Sequence, residues 1–288
     1  MKDTFAEVRI LDNFYQTSSF FPMPVVLMST VAETGQTNLG PYSLCFPYIV
    51  TGEHAMLLIS REDSNTSLNI QRTGVCAINF VPDKRRYIRN CVMLGYPGET
   101  TAEKMENSIF TLLPSTRHAE EREPGIQYPE IVEEAIQVFE CTWNRRYPPK
   151  HDPESPECRF VLRVDKIVMK ERWRDRLFAG KGVPRLPIDY GFRDNAFFWF
   201  TKGARPYKEG IPQEKGVTVD AVQFAAQRIE PNIAWQEEAC AKLVRVPRVF
   251  LSRVIRECVK AAEEEGISEI TPEFLDRVRD KRDSERLK

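Results

Sequence analysis

Five apolar runs in the first 170 residues have the length of strands: PVVLMSTV (24–31), AMLLIS (55–60), VCAINFV (75–81), IQVFECT (136–142) and RFVLRVDKIVM (159–169). Strands take about 4–8 residues and most helices need about 10 or more, so a chain written this way builds sheet. The first run ends at Glu33, Thr34 and Gly35, and Gly35 supplies the positive φ of a hairpin turn. The return segment 36–49, QTNLGPYSLCFPYI, carries Gly40, Pro41 and Pro47. Proline withholds a ladder donor, so this is a broken strand that leaves backbone groups free. In the last run Phe160, Leu162 and Val164 alternate with Val161, Arg163 and Asp165, as on a half-exposed barrel strand.

Between the second and third runs, SNTSLNIQRTG reads as a short helix, capped by Ser64, Asn65 or Thr66 and closed before Gly74. Residues 101–110 read as helix, and 111–130 form a proline- and charge-rich connection. Many short strands, Gly/Pro punctuation and few helices predict a β-barrel over roughly the first 210 residues. The pattern changes after residue 230. Residues 235–246, 247–266 and 271–282 read as three helices, with Pro247 opening the second, Gly266 closing it, and Thr271 capping the third ahead of Pro272. Val249, Phe250, Val254, Ile255 and Val259 recur at helical spacing and call for a covering surface. The expected domains are therefore 1–230 and 231–288.

Composition narrows the function classes. Lys+Arg 41 against Asp+Glu 42 leaves a net charge of −1, which argues against nucleic acid as a main partner. No apolar run approaches the roughly 18 residues of a membrane span. The start of the chain, MKDTFAEVRILDNF, shows no secretory h-region. Seven cysteines without a C-x-x-C pair and three scattered histidines (His54, His118, His151) give no zinc pattern, so no metal is expected. Reduced cysteines in a cytoplasmic protein are the plain expectation. There is no G-x-G-x-x-G, Walker loop or H-E-x-x-H.

Three pieces in order, VVLMSTVAETGQTNLGPYS, LLISREDSNTSLNI and GVCAINFV, resemble the flavin reductase-like family, with weaker likeness through ENSIFTLLPS and IQVFECT. The resemblance spans about 24–210. It implies a fold that is mainly β with α: an FMN-binding split β-barrel, followed here by the small three-helix module. The tail resembles the C-terminal helical domain of the light-independent protochlorophyllide reductase B subunit through Trp235, LVRVPRVFLSRVIREC, the segment Ala261–Gly266 and EITPE. The catalytic body of that reductase has no counterpart in this sequence, so its activity does not carry over.

The family resemblance implies FMN as cofactor and NADH or NADPH as hydride donor, with the flavin carrying the chemistry and no catalytic side chain required. Ser60, Arg61, Ser64, Asn65 and Thr66 would hold the phosphate, where hydroxyls and a guanidinium meet a helix start. In isolation the same residues read as a helix cap beside a solvated arginine. Asn38, Gly40, Pro41, Tyr42 and Ser43 would lie along the ring, with a β-bulge at a barrel corner as the structural alternative. Ser29 and Thr30 are candidates for the ring or ribityl chain, and Asn69 is expected to stabilise the short helix. Trp143, Trp173, Phe192 and residues 197–200 are candidates to cover a pocket, although aromatic clusters usually form core.

The resemblance further implies a homodimer with FMN near the interface, using segments 36–49 and 192–200. The helical tail is a candidate surface for a protein partner or for shaping access to the flavin. Two other readings stay open from sequence: a non-enzymatic, flavoredoxin-like electron carrier, and an interaction protein whose barrel has lost its flavin.

Overall fold

The computed structural model describes residues 5–95, 100–150, 152–192, 197–203, 205–207, 218–246 and 248–286. The chain divides into two compact units, Met1–Tyr207 and Lys208–Lys288. The first unit contains helices α1 (Phe14–Thr17), α2 (Asn65–Thr73), α3 (Arg85–Leu94), α4 (Thr101–Glu106) and α5 (Glu171–Phe178). Its strands are β1 (Met23–Pro24), β2 (Val26–Val31), β3 (Thr37–Tyr42), β4 (Cys45–Ile49), β5 (Ala55–Arg61), β6 (Val75–Phe80), β7 (Leu112–Leu113), β8 (Ile131–Val132), β9 (Gln137–Trp143), β10 (Glu157–Met169), β11 (Ile188–Phe192) and β12 (Phe198–Phe200).

Seven strands form one antiparallel sheet in the order β3-β2-β6-β9-β10-β5-β4. The β2–β3 hairpin turns at Gly35, pairing Val31 with Thr37 and Val26 with Tyr42 without a register shift. No bulge therefore accounts for Gly40 and Pro41. Pro41 is accommodated because β3 is an edge strand, where a missing donor disrupts no second ladder. The break expected in 36–49 comes at Ser43 and Leu44, after which β4 leaves β2 and pairs with β5 at the opposite edge.

One face of the sheet buries Val26, Met28, Leu58, Ile78, Phe160 and Leu162, together with Cys45, Cys76, Cys141 and Cys158. Trp143 packs edge-on against Phe160 at 5.5 Å between ring centroids, so it belongs to the core and does not cover a pocket. A second cluster lies where Tyr87, Cys91 and Leu94 of α3 meet Leu27, Leu39, Ala77 and Val138. All seven cysteines are buried and unbridged, and burial pushes the Cys91 thiol up to about 12. Such thiols are inert.

A smaller sheet, β1-β11-β12, adds Asp189 to the unit opposite Met23. The helix expected at 101–110 is shorter, ending at Glu106. Thr100 and Glu103 form its capping box, and Asn107 ends it, with its N–H turned back to Lys104 and Met105. Helices α3 and α5 are additions to the sequence reading.

The second unit holds α6 (Val219–Ile229), β13 (Ala234–Trp235), α7 (Glu237–Leu243), α8 (Arg248–Glu265), β14 (Glu269–Ile270) and α9 (Pro272–Arg286). This moves the boundary from the expected 230 to 207 and adds a fourth helix to the expected three. The reason is packing: Val222 and Ala226 of α6 are fully buried in one cluster with Ala239, Ile255, Ala262 and Ile270. The buried stripe of α8 is Leu251, Ile255, Cys258, Val259 and Ala262, which leaves Phe250 off the stripe and exposed. Thr271 caps α9 by accepting the Phe274 N–H at 3.3 Å. Pro247 lies outside the described residues. Among the described residues no helix is long and apolar enough to cross a membrane.

Candidate functional site

Strand β5 ends at Arg61, and a short turn feeds the chain into α2. Ser64 is the N-cap: its Oγ accepts the Ser67 N–H at 3.1 Å, while the Ser67 hydroxyl donates to the Arg61 carbonyl at 2.6 Å. The cap fixes the turn and leaves the first amides of α2 directed outward, since a helix supplies them no acceptor. Around this point three hydroxyls meet. Tyr42 and Ser60 are 2.7 Å apart, Ser60 and Ser64 are 2.8 Å apart, and Tyr42 donates to Ser64 at 3.2 Å. Arg61 is well exposed, and its 3.8 Å approach to the exposed Asp63 is worth little, so its guanidinium is available to an anion.

Strand β3 passes against the start of α2 at Gly40. A Cβ at this position would lie 2.8 Å from Thr66 Oγ1 and 3.3 Å from Tyr42 Cε2. Only glycine lets strand and helix approach this closely. On the other side, Gly95 follows α3 and a Cβ there would meet Pro41 Cγ at 3.2 Å. The result is a cavity of about 690 Å³, within the roughly 300–1,000 Å³ of small-molecule sites.

The cavity brings together most of the residues read from the sequence: Gly40, Pro41, Tyr42 and Ser43 from one segment, and Ser60, Arg61, Ser64, Asn65 and Thr66 from the other. Ser29, Thr30 and Asn38 do not line it. Ser29 accepts from Asn79 Nδ2 at 2.8 Å, and Thr30 accepts from Asn69 Nδ2 at 3.1 Å and from Asn38 Nδ2 at 3.4 Å. These buried groups tie β2, β3, β6 and α2 together, a structural role for Ser29 and Thr30. Asn69 has the structural role expected of it, although it ties α2 to β2 across the fold and not to its own helix. Asn38 Oδ1 has no partner among the described residues. His54 and His118 are exposed, and His151 lies outside the described residues.

Several lining residues escape a sequence reading. Lys104, on the six-residue α4, is buried in the cavity wall, and Tyr15 and Glu157 line it from α1 and β10. Asp189 stands just behind: its carboxylate accepts the Ser43 hydroxyl through Oδ2 and the Gly191 N–H through Oδ1, the latter at 3.1 Å. Asp189 is 4% exposed, and burial raises its pKa to about 6 against the opposing pull of the two donors. The Tyr15 phenol is pushed up as well, first by burial and then by the charges of Glu157 and Asp189. Lys104 could have been suspected from the capping box that seats it, since Thr100 and Glu103 fix a turn with a lysine on its next position. Asp189 carries no such local signal.

No family model and no curated protein matches the chain. Solved structures do. Nitrilotriacetate monooxygenase component B from Bacillus cereus is 18% identical, with 71% of this chain and 100% of that one covered at a TM-score of 0.52. Flavoredoxin from Methanosarcina acetivorans is 15% identical over 74% and 98% of the respective chains, with a TM-score of 0.51. A Shewanella frigidimarina protein described as a flavin reductase with a split barrel domain is 12% identical over 69% and 90%, also at 0.51. At these identities the likeness is one of fold. The barrel unit has the split-barrel fold.

Proposed function

We propose that the barrel unit binds FMN in this cavity and serves as an oxidoreductase that takes hydride from NADH or NADPH. The observation that carries the reading is the convergence of residues 40–43 and 60–66 on one cavity at the N-terminus of α2. Split-barrel neighbours titled as a flavin reductase and a flavoredoxin support it.

The residues suit the group. A phosphate dianion needs amide donors, a favourable dipole and cations, and the start of α2, the hydroxyls of Ser60, Ser64 and Thr66, and the Arg61 guanidinium supply them. Lys104 adds a second cation to the wall. Pro41, with no N–H of its own, and the Gly40 and Tyr42 backbone on the sheet edge present a fixed set of polar groups to a ring. When bound, the flavin supplies the electron and hydride chemistry, and the protein orients it and sets its surroundings. The test is spectroscopic: FMN added to the purified protein should bind saturably, and anaerobic NADH or NADPH should bleach it. Bound FMN that neither nucleotide reduces would instead favour an electron carrier.

We also propose a homodimer with the flavin near the interface. The support is the exposure of large side chains in the two expected segments: Tyr48 on the edge strand β4 in one, and Phe197, Phe198 and Trp199 in the other. Residues 193–196 of that second segment lie outside the described ones. Sedimentation should give a dimer, and a monomer that still holds flavin would contradict this.

A further inference from the structure

We propose that Asp189 is a positioning residue for the flavin ring: by accepting the Ser43 hydroxyl hydrogen, it turns the Ser43 oxygen into a hydrogen-bond acceptor for a ring N–H. The inference rests on the flavin reading above and assigns a role to a residue outside the cavity lining.

The geometry is specific. Ser43 is the residue at which the edge strand breaks, and it lines the cavity directly after the Gly40, Pro41 and Tyr42 stretch. A serine hydroxyl has one hydrogen and two lone pairs, so committing its hydrogen to Asp189 leaves only acceptor capacity for a ligand. An isoalloxazine ring carries an imide N–H, which is the complementary donor. Asp189 is itself fixed from its far side by the Gly191 N–H. Gly191 adopts φ 78, and a Cβ there would lie 2.5 Å from Gln16 side-chain carbons, so that backbone turn demands glycine.

The surroundings decide what a proton does here. From β1, Met23 is the residue paired with Asp189, and from β12 it is Phe200, so both strands contribute apolar neighbours. From α1 comes the Tyr15 phenol, and from β10 the Glu157 carboxyl, both on the cavity wall. No described cation compensates the Asp189 charge in this set, which is why burial dominates and the acid titrates near about 6. Once protonated, the carboxyl can no longer hold the Ser43 hydrogen with its charge. The hydroxyl is then released to donate, and its lone pairs are no longer directed at the ligand. Ring binding and Asp189 deprotonation are thereby linked, each favouring the other.

The probe is riboflavin, which lacks the phosphate whose own second ionisation near about 6 would confuse an FMN titration. Its affinity for the whole chain, read by fluorescence quenching, should rise about fivefold from about pH 5 to about pH 8, with its midpoint near the Asp189 value. D189N and S43A should each abolish the pH dependence, S43A at the weaker level, and S43T should restore it by returning a hydroxyl. Should D189N fail to fold, the S43A and S43T pair carries the same test. Binding that is flat in the wild type, or a midpoint that survives D189N, overturns the role of Asp189 while leaving the flavin reading intact. Absence of riboflavin and FMN binding at every pH overturns both.

Discussion

Two parts of the cavity wall handle polarity in opposite ways. Around the start of α2, the hydroxyls of Ser60 and Ser64 and an exposed guanidinium come from one short segment, Tyr42 joins them from β3, and Ser64 spends its side chain on a local cap. Around Ser43, a buried carboxyl from a strand 146 residues further along the chain holds a single hydroxyl. The first arrangement offers donors to a charged group and keeps its cation in solvent, where desolvation costs little. The second hides its charge, and so its state depends on pH. On the proposed reading the same cavity would combine a pH-insensitive anion site with a pH-sensitive orienting contact.

The comparison is sharpest if each part is altered alone. Replacing Arg61 and Thr66 together by Ala should cost FMN about 3 kcal/mol, near a hundredfold in affinity, because charge-assisted contacts to phosphate are among the stronger ones. Riboflavin should lose less than about threefold. Equal losses for both ligands would place the phosphate elsewhere.

Asp189 should reveal itself in stability. Its folded pKa is raised to about 6 from an unfolded value of about 3.9, so the folded chain holds the extra proton between those values. Stability from this group is therefore full below about pH 4 and is lost as pH rises through about 6, a loss of about 3 kcal/mol. D189N should match the wild type in acid and exceed it by about 2–3 kcal/mol at about pH 8 in denaturant unfolding. A wild-type advantage at high pH would show that the carboxylate is stabilised, not strained, by its site.

Gly40 joins the two parts, and G40A should destabilise the unit by about 1–2 kcal/mol, since its Cβ would press on Thr66 and Tyr42 in a packed site. FMN affinity should fall along with the melting temperature. A variant that melts normally and binds normally would mean that β3 and α2 can separate freely.

These parts differ in how far the sequence reveals them. The hairpin, the run of strands and the 60–66 loop are legible because their signals are local: β-branched runs, a glycine turn, a capping serine three residues before its target. The loop also reads as a candidate binding site because its hydroxyls, cation and helix start are contiguous. Asp189 gives no such signal, because it reaches Ser43 through tertiary packing that no spacing rule encodes, and for Lys104 only the capping box of Thr100 and Glu103 hints at its place. Ser29, Thr30 and Asn38 show the converse. As polar residues on strands they look available, whereas the fold ties them into a buried network with Asn69 and Asn79 that leaves Asn38 Oδ1 without a partner among the described residues. The compact units divide ahead of the expected 230 because α6, which carries no sharp composition change, places Val222 and Ala226 in the helical core.

The smallest expected effect concerns that boundary. A chain ending at Tyr207, which leaves the helical unit's core undivided, should keep FMN affinity within about twofold, as expected of a unit with its own core. A large loss would give the helical unit a direct part in holding the flavin.

The central claim is that the phosphate of FMN is held as a dianion at the start of α2, and phosphorus NMR of protein-bound FMN across a pH titration tests it most directly. Free FMN titrates near about 6. The bound resonance should stay at its dianion position down to about pH 5, because the helix N-terminus, Arg61 and Lys104 favour the charged form. A bound resonance that follows the free one through the same midpoint would show the phosphate in solvent and contradict the account.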